Sequence, residues 1–308
     1  MNIISEILHF LKYHKQRFFR DPRFRCTQRV KAFLINTPPP FLTEKERIQF
    51  LKFFRWHTIS TFNYPYAAKY RFKKVKVYLD PQNGLHYVIT KEQKRLYFKR
   101  NQSRSQISKN YISLCMEQDE HSPHYYCFNL PDISPNTVLA DIGAADGNFS
   151  LKFIEKIKKL YLFECNPDWI EALEATFRPW KEKVEIINKY VLDDEEKERE
   201  QKKNNSISLD RFFDDKEKPT LVKMDVEGVE AKILAGARKL LAHKSISDLL
   251  ICTYHRHGDE QKLTQILCEN GYSVKPSEGY MLFLQEYSNP FSMENPIDFR
   301  RGIIHASK

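Results

Sequence analysis

The spacing of hydrophobic positions along this chain changes three times. In residues 1–20, Ile3, Ile4, Ile7, Leu8 and Leu11 fall on one stripe at helical spacing, and Lys12, Lys15, Arg17 and Arg20 follow. This predicts an amphipathic helix that docks on the rest of the protein or lies on an anionic membrane. Thr37-Pro38-Pro39-Pro40 separates it from a second helical stretch starting near Thr43. From Lys73 the apolar period drops to two. Val75, Val77 and Leu79 alternate with Lys76, Tyr78 and Asp80, Asn83-Gly84 supplies a turn, and Tyr87, Ile89 and Leu96-Tyr97-Phe98 follow. That pattern predicts a small antiparallel element. A helix over 107–120 comes next.

After the turn residues Pro131, Pro135 and Asn136, short apolar runs alternate with helical segments. The runs are Val138–Ile142, Leu160–Cys165, Val184–Ile187, Leu221–Met224 and Leu249–Thr253. Helices are expected over 147–158, 167–178, 228–242 and 259–270. Such alternation predicts an α/β fold: a doubly wound, mostly parallel, Rossmann-like sheet. Met281–Gln285 and Gly302–Ala306 have no helix between them, which predicts an antiparallel edge pair. The stretch Asp193–Lys203 is nearly all charge and reads as an exposed loop or frayed helix. The expected division is a basic, helical and small antiparallel α+β extension over 1–130 and the α/β domain over 131–308.

Composition adds a partner class. The 308 residues are 41% hydrophobic and 29% charged, as in a globular chain, and no run reaches the ~20 apolar residues of a membrane span. Asn2-Ile3-Ile4-Ser5-Glu6 does not open a cleaved signal, so the expectation is a cytoplasmic protein, with peripheral membrane contact left open. The six cysteines show neither CxxC pairs nor zinc spacing and read as reduced packing thiols. Residues 1–100 hold 22 Lys+Arg against 6 Asp+Glu, a net +16, which leaves −6 for the remainder of the +10 chain. That asymmetry points to an anionic membrane surface, a nucleic acid or a phosphorylated substrate or carrier.

Four segments carry candidate chemistry. In Val138-Leu139-Ala140-Asp141-Ile142-Gly143-Ala144-Ala145-Asp146-Gly147-Asn148 a buried strand ends in an acid, and a Gly-x-x-x-Gly turn opens a helix. Glycines there let a ligand approach the backbone at the carboxyl end of the sheet. A dinucleotide site would want glycine where Ala145 stands, and Asp141 would repel a pyrophosphate but suits an amino group and a sulfonium. About 20 residues on, the next strand ends at Glu164-Cys165, where a carboxylate can accept from both ribose hydroxyls. Together these favour S-adenosylmethionine. A third strand ends in Lys223-Met224-Asp225-Val226-Glu227-Gly228-Val229-Glu230. Asp225 and Glu227 read as a general base or as ligands of a divalent cation such as Mg²⁺, and Glu230 as an acid favoured by the helix dipole. The fourth strand ends in Thr253-Tyr254-His255-Arg256-His257, where His255 is the leading base candidate. Asn63-Tyr64-Pro65-Tyr66, despite its likeness to an amino-methylating loop, reads as a turn with packing aromatics.

The DIGAADG turn, the LFECNP strand end and above all LVKMDVEGVEAKILAGA resemble the FkbM-type methyltransferases, class I S-adenosylmethionine enzymes of which many O-methylate sugars or natural products. The resemblance covers about residues 110–275, including Glu117–Tyr125 ahead of the turn. It implies that Asp141, Gly143, Ala144, Gly147 and Asn148 surround the methionine part of the cofactor. Glu164 and Cys165 would lie at the ribose, Asp193 near the adenine and Asp225 beside them. His255, Asp225 and Glu227 would be catalytic, and His124, Tyr125, Tyr254 and Arg256 would face the acceptor. The expected acceptor is a small molecule or glycan. A nucleic-acid methyltransferase and a non-catalytic accessory protein of glycan assembly are the competing readings. Oligomeric state is not legible.

Overall fold

The structure is a computed structural model that describes residues 21–71, 73–130, 132–193, 205–243, 245–284 and 297–308. The expected helix over 1–20 and the charged stretch after Asp193 lie outside the described residues. The described chain opens with α1 (Pro22–Asn36) and α2 (Glu44–Phe53), then β1 (Tyr78–Leu79), β2 (His86–Ile89), β3 (Arg95–Tyr97) and α3 (Arg104–Glu117). Next come β4 (Val138–Ile142), α4 (Asn148–Phe153), β5 (Lys159–Phe163), α5 (Pro167–Phe177), β6 (Val184–Ile187), β7 (Tyr190–Val191), β8 (Ser206–Ile207) and α6 (Leu209–Phe212). The third group is β9 (Leu221–Met224), α7 (Glu230–Ala235), α8 (Arg238–Ala242), β10 (Asp248–Cys252) and α9 (Asp259–Glu269). The last strands are β11 (Ser273–Pro276), β12 (Met281–Leu284), β13 (Ile297–Arg300) and β14 (Ile303–Ser307).

These elements form two compact units. One takes the described residues of Met1–Lys69 and Gly279–Arg300; the other takes Tyr70–Glu278 and Arg301–Lys308. In the first unit, α1 is unanticipated from the hydrophobic pattern. Asp21 caps it by accepting from Arg23 N and Phe24 N, and Phe24, Thr27, Val30 and Leu34 are its buried stripe. A Thr43–Glu46 capping box starts α2. Tyr64 and Tyr66 are buried and stacked 6.0 Å apart, and the Tyr64 hydroxyl donates to Tyr280 O at 3.0 Å. Packing therefore accounts for the Asn-Tyr-Pro-Tyr turn.

The second unit is built on a seven-stranded sheet of order β11-β14-β10-β9-β4-β5-β6. The chain runs outward from β4 to β5 and β6, then returns to the other side of β4 with β9 and β10. That reversal makes a topological switch point between β4 and β9, and ligands of open α/β sheets bind outside it. β14 is antiparallel to both β10 and β11, which gives the expected antiparallel edge a different pairing. The Met281 strand pairs instead with Ile297–Arg300.

Alternation of side chains sorts the core onto two faces. Val138, Ala140, Ile142, Val222, Met224, Leu249 and Ile251 meet Phe212, Ile233, Leu234, Leu240, Leu263 and Leu267 on one face. Leu139, Leu160, Leu162, Leu221 and Leu250 meet Val88, Leu96, Phe98, Ile107 and Tyr111 on the other. The hairpin strands and α3 thus bury their apolar side against the sheet, in the compact unit that includes Tyr70–Glu278. The single helix expected over 228–242 is two. A Cβ on Gly236 would sit 2.9 Å from Asp193 Cα, and the chain bends there.

Candidate active site

Asp141 and Lys223 are in-register partners on β4 and β9 and point to the same face. Asp141 is fully buried. Ser150 Oγ donates to its Oδ2 at 2.6 Å, and Lys223 Nζ lies 3.0 Å from its Oδ1. Lys223 also donates to Gly143 O at 2.8 Å. Burial by itself would strip the ammonium of its proton, but Asp141 and then Asp225 outweigh it and hold the Lys223 pKa above the ordinary lysine value. The buried cation is therefore a staple from β9 to β4 and the turn that follows it.

The turn that follows is tight for reasons internal to the protein. Gly143 has φ +76°, and a Cβ there would come within 1.9 Å of Asp225 O. Gly147 has φ +77°, and its Cβ would strike Phe177 at 2.7 Å. Ala145 adopts φ 47° without being glycine. Its N–H donates to Glu164 Oε2 at 2.8 Å, and Asn166 N donates to Glu164 Oε1 at 2.7 Å. The Glu164 carboxylate thus ties the turn after β4 to the end of β5.

From the end of β9 a chain of hydrogen bonds runs in two directions. Tyr126 Oη donates to Asp225 Oδ2 at 2.8 Å, which uses its one proton. Cys252 Sγ, 3.0 Å from the same oxygen, is then the donor to Tyr126. His124 Nε2 sits 3.5 Å from Cys252 Sγ, and Gln118 Nε2 lies 3.3 Å from His124 Nδ1. On the other side, His255 Nε2 is 3.2 Å from Asp225 Oδ1 and His255 Nδ1 is 2.9 Å from Glu230 Oε1. Val226 N and Gly228 N converge on that same Glu230 oxygen at 3.3 and 3.4 Å. Every proton of the chain has an acceptor, and the bonds meet at Asp225.

Electrostatics follow from this arrangement. Burial lowers the His255 pKa, but Asp225 and Glu230 raise it more, to about 9, so its imidazolium is the neutral-pH form. Burial raises the Asp225 pKa, but His255, Lys223 and His124 reverse that and hold it well below the carboxylate range. His124 is pushed down to about 4 by burial and is neutral. Two further acids are pushed up, chiefly by burial: Asp146 to about 6 and Glu117 to about 7, the latter opposed by a bond from Ser113 and assisted by Asp146 and Asp225. The carboxyl end of the sheet thus holds acids paired with Lys223 and His255 together with two, Asp146 and Glu117, whose protons exchange nearer neutrality.

The residues from Asp141 to Val274 match the model of the Methyltransferase FkbM domain. That segment is thus similar to the FkbM methyltransferase domain. The match covers less than half of the chain. Among solved structures, the FkbM methyltransferase of Methylobacillus flagellatus KT is 19% identical, with a TM-score of 0.40 over 64% of this chain and 52% of that one. This chain thus spans about half the length of that protein. A precorrin-6y C5,15-methyltransferase of Geobacter metallireducens GS-15 is 13% identical, with a TM-score of 0.40 over 61% and 90% of the two chains. The precorrin 8w decarboxylase of Methanobacterium thermoautotrophicum is 12% identical, with a TM-score of 0.39 over 61% and 90%. A comparison with curated proteins finds no match.

Within this segment the structure places the expected site residues as follows. Asp141 has no solvent-facing surface and anchors Lys223 and the turn. Gly143 and Gly147 leave their Cβ space to Asp225 and Phe177, not to a ligand. His255 has both nitrogens engaged, by Asp225 and Glu230, and those acids raise its pKa to about 9. Glu230 is buried against His255 and is more than a helix-dipole acid. Ala144 is buried in the turn; Asn148, Cys165 and Asp193 are partly exposed. Glu227 is exposed with φ 62°. Tyr254 rests its ring 5.0 Å from His124 and 4.2 Å from His255. Tyr125 lies under Lys152 at 5.5 Å, and the exposed Arg256 crosses Gly228, whose Cβ would meet Arg256 Nε at 2.7 Å.

Candidate metal ligands Asp225 and Glu227 are joined by another grouping: His124, Asp225 and Cys252 place ligand atoms within 4.8 Å of one another. The Tyr126 hydroxyl bonds both Asp225 and Cys252, and those hydrogen bonds account for the group. Lys223, Tyr126, Glu117 and Glu230 were missed as site residues. Lys223, a lone charge inside the apolar run Leu221–Met224, was the one visible signal.

Proposed function

We propose that this chain binds S-adenosylmethionine outside β4, β5 and β9 and transfers its methyl group to a hydroxyl oxygen of a sugar, glycan or natural product. The observation that carries the reading is three adjacent parallel strands, flanking the switch point, that each run into a carboxylate: Asp141, Glu164 and Asp225. The donor set suits such a cofactor. Each Glu164 oxygen takes one backbone N–H and keeps acceptor capacity for a ribose hydroxyl. Asp225, ionised and one-quarter exposed, gives fixed negative charge. When bound, the cofactor supplies a methyl group on a positively charged sulfur, to be displaced in line.

An alcohol is a weak nucleophile, so its proton must be removed as it attacks. Glu117, half-buried with a carboxyl titrating at about 7, is the proposed proton acceptor. His255 and Glu230 hold Asp225 in place, and Tyr254, Tyr125 and Arg256 border the acceptor side.

The test follows labelled methyl transfer to saccharides, nucleotide-linked sugars and RNA in parallel, with Mg²⁺ and with EDTA. An O-methylated saccharide is the expected product. Glu117→Gln is expected to slow turnover about a hundredfold and to lose the rise in rate between pH 6 and 8. Label in RNA alone would contradict the acceptor class, and an unaltered pH profile would contradict the role of Glu117.

A further inference from the structure

From α2 and the turn that ends it, we infer that the first unit docks on an anionic lipid bilayer. Lys45, Ile48, Lys52, Arg55 and Trp56 are all exposed. At 3.6 residues per turn they fall within roughly 100° of the helix circumference. The turn continues past Phe53, with Arg55 N donating to Lys52 O and Trp56 N to Phe53 O, so the stripe reaches Trp56. The opposite side carries Phe50 and Phe54, both buried, with Phe50 5.6 Å from Tyr64 and 5.7 Å from Phe299. The helix therefore has its core face already filled. Its outer face still presents Trp56, 75% exposed, and Ile48, 40% exposed, among three cations.

Arg55 lies 5.4 Å over the exposed Trp56 ring, so a cation and an indole share this end of the stripe. Tryptophan flanked by lysine and arginine matches the layering of a membrane interface. The indole enters the headgroup region while the cations meet lipid phosphates. The charge of the unit agrees. Residues 21–69 contain nine Lys+Arg and three Asp+Glu, a net +6. Nucleic acid would share the cations but leaves Ile48 without a role.

The experiment is co-sedimentation of the full chain with vesicles of phosphatidylcholine alone or with 30% phosphatidylserine, read together with quenching of tryptophan by brominated lipid. Binding to the anionic vesicles, weakened by salt, is expected. The triple variant Lys45→Glu, Lys52→Glu, Arg55→Glu is expected to lose binding on the order of a hundredfold. Trp56→Phe is expected to abolish the lipid-dependent quenching, since Trp169 and Trp180 belong to the other unit. Circular dichroism spectra of the variants that match the parent keep unfolding out of the result. Absence of binding at low salt, quenching that survives Trp56→Phe, or binding to RNA in preference to vesicles would each overturn the inference.

Discussion

The strand β10 has a buried histidine–carboxylate pair at each end, and the two ends behave differently. At its amino end, His305 Nε2 lies 2.7 Å from Asp248 Oδ1, His305 Nδ1 lies 3.0 Å from Asn129 Nδ2, and Ser247 Oγ donates to Asp248 Oδ2 at 2.7 Å. One acid faces one histidine, and neutral groups complete the shell. At its carboxyl end, His255 is held between two acids, with Lys223 close by and two more acids titrating near neutrality. Backbone strain divides the same way. Ala145 and Glu227, at φ 47° and 62°, belong to the turns at the carboxyl end. Charge left unbalanced and strained backbone are costs a merely structural end avoids, so their concentration supports placing the proposed site at the carboxyl end.

Breaking the carboxyl end hardest means removing Lys223. Lys223→Met leaves Asp141 buried beside Gly143 with no cation, and about 3–5 kcal/mol of stability should be lost in urea titration. A loss below 1 kcal/mol would mean that Asp141 finds another partner.

His255 tests the carboxyl end directly. The folded pKa of His255 is raised from 6.5 to about 9. Its contribution is then complete below pH 6.5 and disappears as pH rises through 9, on the order of 3 kcal/mol. His255→Gln should flatten the fall in stability across that window. An unchanged fall in that variant would show that Asp225 and Glu230 do not hold the His255 proton.

The smallest effect concerns strain. Ala145→Gly should relieve the left-handed backbone and raise stability by at most about 1 kcal/mol, offset in part by the greater freedom of the unfolded chain. A clear destabilisation would show that the Ala145 methyl is needed for packing.

Strand ends were legible because each apolar run is short and stops at an acid or a histidine: Asp141, Glu164, Asp225 and His255 all stand out by position. The roles of those residues were not. Tyr126 meets Asp225 across 99 residues, His124 meets Cys252 across 128, and no local period reports such contacts. Glu230 and His255 looked like a dipole acid and a free base because their 25-residue separation hides the ion pair between them. In the first unit, α1 escaped notice because its buried stripe of Phe24, Thr27, Val30 and Leu34 is interleaved with arginines.

The central claim is that the carboxyl end of β4 and β5 holds S-adenosylmethionine through Glu164, and calorimetric titration of the cofactor tests it most directly. The wild type should bind with micromolar affinity, Glu164→Gln should bind more weakly, and Glu164→Ala should lose affinity at least tenfold while still unfolding cooperatively. A wild type that takes up no cofactor, or a Glu164→Ala protein that binds as well as the wild type, would contradict the account.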